Sequence, residues 1–256
     1  MHKPKASPVY DAWMMFRRCL LIALRNPEAL VMATVTPFFL MFLFGTVYEN
    51  ITDVGPVKYI DYIIPGIILQ SVAQAAQYSA IHVTTDMTKG IMDRFRSMPI
   101  SRSAVLIGHA GAGIVRNTVT TVVIIGTAFL LGFRPQCGFV SWLYVVGFLL
   151  LIIVAMSLIA VLCGLCSKTP ENSSGYMFPL FILPFFSSGF APTQTLPPGM
   201  RWFAEFQPMT PIVNSIRALL LDMPTDKSLW IALAWCLGIT VAAYIAATQV
   251  YKRKLT

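Results

Sequence analysis

Three glutamines, Gln70, Gln74 and Gln77, stand four and three residues apart in an otherwise apolar run, with Ser71 and Tyr78 beside them. That spacing lays their amides along one stripe of a helix. An amide in hydrocarbon needs a partner or water. The stripe therefore either lines a polar route or bonds neighbouring helices. Arg116 and Asn117 form the other polar pair inside an apolar run. Arg116, one or two turns from the nearer span end, is placed to snorkel or to pair with a loop carboxylate, which favours a structural or gating role.

Other chemistry is hard to build from this chain. It contains no G-x-x-x-x-G-K-[ST], HExxH or GxSxG pattern and no clustered metal ligands. His82 and His109 fall near span ends, where an interfacial place suits them. Cys163 and Cys166 form a C-x-x-C, but "LIAVLCGLCSK" is the end of an apolar helix and no second pair exists, so both read as small helix residues. Every one of the 11 acidic residues lies outside an apolar run or at its margin. A proton-driven transporter usually needs a carboxylate within the membrane, so that class is disfavoured.

The elements that would position these residues are membrane helices. Of 256 residues 56% are hydrophobic and 12% charged, and the mean hydropathy is +0.69. No soluble fold hides that much apolar surface. Six runs are long enough to span, at about 29–48, 59–81, 106–132, 139–165, 174–190 and 229–250, the fifth being short. Pro37 should kink the first, and Pro179 and Pro184 should distort the fifth. No cleavable leader is expected, so the first run should stay as an anchor. Ahead of it, 7–26 reads as an amphipathic interfacial helix. Asp11, Arg18 and Arg25 share one face, Val9, Trp13, Phe16, Leu20 and Leu24 another, and Asn26-Pro27 ends it. With the N-terminus in the cytoplasm, 13 lysines and arginines fall inside and 5 outside. Both termini should then be cytoplasmic, and the net charge of +8 reflects cationic inner loops rather than nucleic-acid binding.

Two connections are too patterned to be plain loops. "DMTKGIMDRFRSMPISRSA", from Asp86, holds six charges between apolar runs. Met87, Ile91, Phe95 and Met98 recur at helical spacing, Asp86, Lys89, Asp93 and Arg96 mark the opposite face, and Pro99 ends the pattern. Periodicity alone fits two uses equally: docking into a groove of a cytosolic partner, or lying flat on anionic lipid. The outer stretch 191–228 has five prolines by Pro211 and then a helical run, with Trp202, Phe203 and Phe206 at interface-favouring spacing. Helices dipping back into the outer leaflet fit it, as does a structured outer loop.

At "YIDYIIPGIILQS", "DMTKGIMDRFRSMPISRSAVL" and "FAPTQTLPPGMRWFAEFQPMTPIVNSIRALLL" the chain resembles the permease subunits of ABC-2 type exporters, most of all the daunorubicin-resistance multidrug permeases. The likeness runs from about Tyr10 to Tyr251. It implies an all-α, six-span membrane protein comprising one ABC-2 transmembrane domain over 1–256. It also implies a connecting helix at 7–26, a coupling helix at 86–98 and re-entrant outer helices at 191–221. By resemblance, Lys89, Ile91, Asp93, Arg94, Phe95, Arg96 and Met98 dock a separate cytosolic ATPase, two copies per transporter. That subunit would hold ATP and Mg, and this chain would hold no cofactor and catalyse nothing itself. Gln70, Gln74, Gln77 and Asn117 are candidates for the substrate path. Arg116, Pro192, Pro208, Pro211 and Arg217 are candidates for gating or structure. The expected protein is a dimeric permease in a bacterial cell membrane, exporting an amphiphilic drug-like or lipid-like substrate. The alternatives are export of a lipid or lipid-linked glycan, and a channel or scaffold with no ATPase partner.

Overall fold

The computed structural model describes residues 8–25, 27–47, 54, 57–90, 102–225 and 227–255. Among the described residues there are nine α-helices and no strand. In chain order these are α1 (Pro8–Leu24), α2 (Pro27–Val47), α3 (Tyr59–Thr88), α4 (Arg102–Leu130), α5 (Phe139–Cys166), α6 (Pro170–Ile182), α7 (Pro198–Phe206), α8 (Met209–Leu220) and α9 (Ser228–Leu255). Short 3-10 turns occupy Leu183–Phe186 and Thr193–Thr195.

Among the described residues three segments are long and apolar enough to cross a membrane by length and composition: Ala104–Leu130, Phe139–Cys166 and Ser228–Arg253. α3 is longer, at 30 residues, but its glutamines, serines and threonines dilute its hydropathy. α9 leaves Trp230, Leu237, Val241 and Tyr244 exposed, and α4 does the same with Val119, Val122 and Leu130. Apolar side chains facing outward from helices with satisfied backbones are the surface that lipid covers.

α3 is the central post of the bundle. Ile63, Ile64, Ile67, Ile68 and Leu69 are almost fully buried, and the helix packs against α2, α4, α5 and α6. Small residues let these helices approach. A Cβ on Gly164 of α5 would lie 2.6 Å from Val83 Cβ and 2.7 Å from the Ala80 carbonyl oxygen on α3. Thr84 uses that proximity to donate to the Gly164 carbonyl at 3.0 Å. Packing and a hydroxyl bond are the usual cement between membrane helices, because lipid offers no hydrophobic gradient between them. The C-x-x-C of this region thus brackets a glycine contact, and all five cysteines are free.

The prolines lie inside or at the end of their helices. Pro37 lies within α2 and Pro179 within α6, and at Pro184 α6 has tightened into a 3-10 turn. One boundary differs from expectation. Asp86 does not open a new helix: Asp86–Thr88 are the last turn of α3. The chain leaves the helix at Gly90, whose φ of +65° is the left-handed turn that terminates helices and favours glycine. Ile91, Asp93, Arg94, Phe95, Arg96 and Met98 lie outside the described residues, and Lys89 is the exposed C-cap of α3.

Candidate functional site

At the end of the bundle where α3 gives way to the charged connection, Asp86 is buried and paired. Arg18 of α1 donates to both of its carboxylate oxygens, at 2.7 and 3.2 Å, and His109 Nε2 of α4 stands 3.5 Å away. The hydrogen bond that Arg18 donates to Asp86 raises its guanidinium above its ordinary range. α1 is seated by close approach as well. A Cβ on Gly108 would lie 2.6 Å from Met15 Cβ, and one on Gly111 would lie 3.0 Å from the Phe16 ring. The Arg18 face of α1 therefore turns towards α3, while Val9, Tyr10 and Trp13 stay exposed. Cys19 Sγ lies 3.7 Å from His109 Nδ1. Cys19, His109 and Asp86 are near enough to one another to suggest a metal site. The donor set does not suit a cation, because burial pushes the Cys19 thiol up to about 11 and Arg18 already occupies the carboxylate. The arrangement is a hydrogen-bonded latch joining α1, α3 and α4.

Deeper in the bundle the glutamine stripe divides. Gln74 Nε2 reaches Thr36 of α2 and Gln77 Nε2 reaches the Ser174 carbonyl of α6, both at 3.4 Å. Gln70 is 0% exposed, and neither of its amide atoms has a partner among the described residues. Such a group carries its full desolvation cost. Asn117 faces elsewhere: its amide reaches Ser157 of α5 at 3.4 Å. Arg116 does not snorkel, and no carboxylate among the described residues pairs with it. It is buried and donates to the Ser79 hydroxyl of α3. Gly113, one turn before it, leaves the room: a Cβ there would sit 3.1 Å from Ser79 Oγ and 3.4 Å from Ser157 Oγ.

The opposite end is closed by backbone contacts. Arg217 of α8 lies 3.6 Å above the Tyr62 ring and donates to the Tyr62 carbonyl at 3.1 and 3.2 Å, the Ser188 carbonyl at 2.6 Å and Asn214 Oδ1 at 3.0 Å. Gly66 and Gly189 touch, for a Cβ on Gly66 would lie 2.7 Å from the Gly189 backbone. Gln207 donates to the Phe186 carbonyl at 2.6 Å. The prolines punctuate this end: Pro192 caps a 3-10 turn, Pro208 caps α8 and Pro211 sits in its first turn. Trp202 and Phe206, both about two-thirds exposed, line the outer side of α7. None of these carbonyl and glycine contacts carried a readable sequence signal. The Asp86 latch left one, since Arg18 shares its helix face with Asp11 and Arg25.

The chain resembles known proteins over most of its length. The ABC-2 type transporter family matches residues 10–221. The chain is 30% identical over 226 residues to the daunorubicin resistance ABC transporter permease protein DrrB1 of Streptomyces coeruleorubidus, covering 85% of this chain and 76% of that one. It is 25% identical over 233 residues to the probable doxorubicin resistance ABC transporter permease protein DrrC of Mycobacterium tuberculosis, covering 91% and 84%. The inner membrane transport permease YadH of Escherichia coli is 24% identical over 196 residues, 74% of each chain. With a helical bundle, lipid-facing apolar helices and a family match over most of its residues, this chain belongs to the ABC-2 type transporter family of integral membrane permeases.

Proposed function

We propose that the chain is the membrane subunit of an ATP-driven exporter of amphiphilic, drug-like compounds. In this reading α2, α3, α4, α5, α6 with its 3-10 turn, and α9 are six spans with both termini in the cytoplasm. The Arg18–Asp86–His109 latch stands at the base of a coupling segment that runs to Met98 and docks a separate ATPase. That subunit supplies the ATP and Mg chemistry for which this chain has no motif. Two permease subunits pair. α7 and α8 fold back into the outer leaflet, anchored by Trp202 and Phe206 and stapled by Arg217.

Gln70 is the observation that carries the reading. A buried amide with no partner among the described residues, flanked by two weakly bonded glutamines, is a poor choice for packing alone. It is a good choice where water or the polar part of a cargo completes its bonds. Relatives named for daunorubicin and doxorubicin resistance support an amphiphilic, drug-like cargo. The test is Gln70→Leu in proteoliposomes with the partner ATPase, measuring export of daunorubicin beside unrelated amphiphiles, normalised to folded dimer. Removing an unpartnered amide should leave folding unchanged or improved, so a change of several-fold in relative rates among substrates supports the route. Unchanged ratios for every compound would overturn it. Transport of lipid but no drug would move the chain to the lipid or lipid-linked glycan exporters, and purification with no ATPase would point to a channel or scaffold.

A further inference from the structure

A cavity of about 20 Å³ lies between α1, α3 and α4, one turn deeper than the Asp86 latch, lined by Cys19, Ser79, His82, His109 and Arg116 among others. Arg116 is 7% exposed, and its Nε has no partner among the described residues. Its bond to Ser79 is to a neutral hydroxyl, which also lies 3.4 Å from the Ala75 carbonyl. A guanidinium has donors only and keeps its charge. The nearby carboxylate, Asp86, is already held by Arg18 at 2.7 and 3.2 Å and has His109 at 3.5 Å. No other carboxylate among the described residues pairs with Arg116. Among the described residues Arg116 therefore has no carboxylate of its own, in surroundings where an uncompensated charge is costly.

We propose that this cavity binds a monovalent anion of chloride size, with Arg116 as its principal ligand and His82 and Ser79 at its rim. Size and charge select the ligand together. The volume holds one water or one monatomic ion. Phosphate, sulfate and a substrate carboxylate are too large. A water would complete the hydrogen bond of Arg116 Nε but leave its charge unbalanced. A metal cation would meet the Arg116 guanidinium and a neutral thiol. Bound there, the anion ties α4 to α3 and braces the latch that seats α1. This site is separate from the glutamine stripe, so it stands whether or not those glutamines line the transport route.

The test uses the full-length chain in detergent micelles, melted in sodium chloride, sodium bromide and sodium gluconate at matched ionic strength. Chloride and bromide should raise the Tm saturably by several degrees, and gluconate should not. The halide response should vanish in Arg116→Gln. Equal melting in chloride and gluconate for the wild type, or an unchanged response in Arg116→Gln, would overturn the proposal. Should Arg116→Gln fail to fold, crystals of the wild type grown in bromide decide. An anomalous peak beside Arg116 upholds the site, and a cavity holding only water or nothing removes it.

Discussion

Arg116 and Arg217 are both buried arginines in an apolar bundle, yet their surroundings ask for different things. Arg217 has its charge spread over two backbone carbonyls, an amide oxygen and the face of Tyr62, so its fork is filled by the protein itself. Arg217→Lys keeps the charge but loses the planar fork, which cannot be replaced by a point donor. It should strand at least one buried carbonyl and lower stability by about 2 kcal/mol, with the larger loss in Arg217→Met. Thermal melting of the purified chain, with wild-type expression as reference, checks this. Melting within a degree of the wild type for both variants would show the staple to be ornamental. At this scale the sequence was readable only in part. A glutamine in an apolar run announces itself by being polar. The partners of Arg217 are carbonyls as far as 155 residues away, which every residue type possesses, so nothing in the sequence marks them.

Between elements the decisive contact is the one that fixes α1 to the end of α3. The sequence suggested an amphipathic helix at 7–26 and a charged helix from Asp86, and it suggested them as separate features. The structure joins them through Arg18 and Asp86, and it ends α3 at Thr88, just before Gly90, rather than at the apolar boundary near 81. Hydropathy locates where a helix meets lipid, whereas the helix itself continues until a residue with φ > 0 stops it. If α1 and the coupling segment move as one body, reversing either charge should uncouple ATP hydrolysis from transport, and reversing both should restore it. Arg18→Asp and Asp86→Arg are therefore made singly and together, and drug-stimulated ATPase activity is measured in the assembled transporter. Each single variant should lose most of the stimulation, and the double variant should recover a several-fold share of it. Recovery would reflect a pairwise interaction rather than two independent losses. A double variant as impaired as its worse parent would mean that the pair only holds shape. His109, beside the same carboxylate, sets the limit of recovery, since it faces an arginine in the exchanged pair.

For the whole molecule the question is which end faces the cytoplasm. The candidate spans in α4, α5 and α9 were legible because length and hydropathy alone define them, and α3 was legible as a long helix because its apolar core outlasts its polar stripe. α6 was harder, for its Pro184 turns the last stretch into 3-10 geometry and its α-helical part has only 13 residues. Orientation rests on the lysine and arginine bias, and the free cysteines let it be measured. Cys137 lies between α4 and α5 beside Gln136, whose N–H donates to the Leu220 carbonyl of α8 at 3.0 Å, which puts it at the α7–α8 end. Cys166 is exposed at the other end of the 28-residue α5, about 42 Å along the helix. Cys19 and Cys236 are buried and silent to aqueous reagents. Two single-cysteine variants are therefore made, retaining Cys137 or Cys166 and replacing the other four with alanine. A membrane-impermeant maleimide added to intact cells should label the Cys137 variant and spare the Cys166 variant, which should react only after the membrane is opened. Burial raises the Cys137 thiol above its ordinary range, so the reaction is run in mildly alkaline buffer to supply thiolate. Labelling of Cys166 from outside with Cys137 protected would invert the chain. It would move the Asp86 latch to the outer face, where no ATPase could reach it, and the export mechanism would fall with the topology.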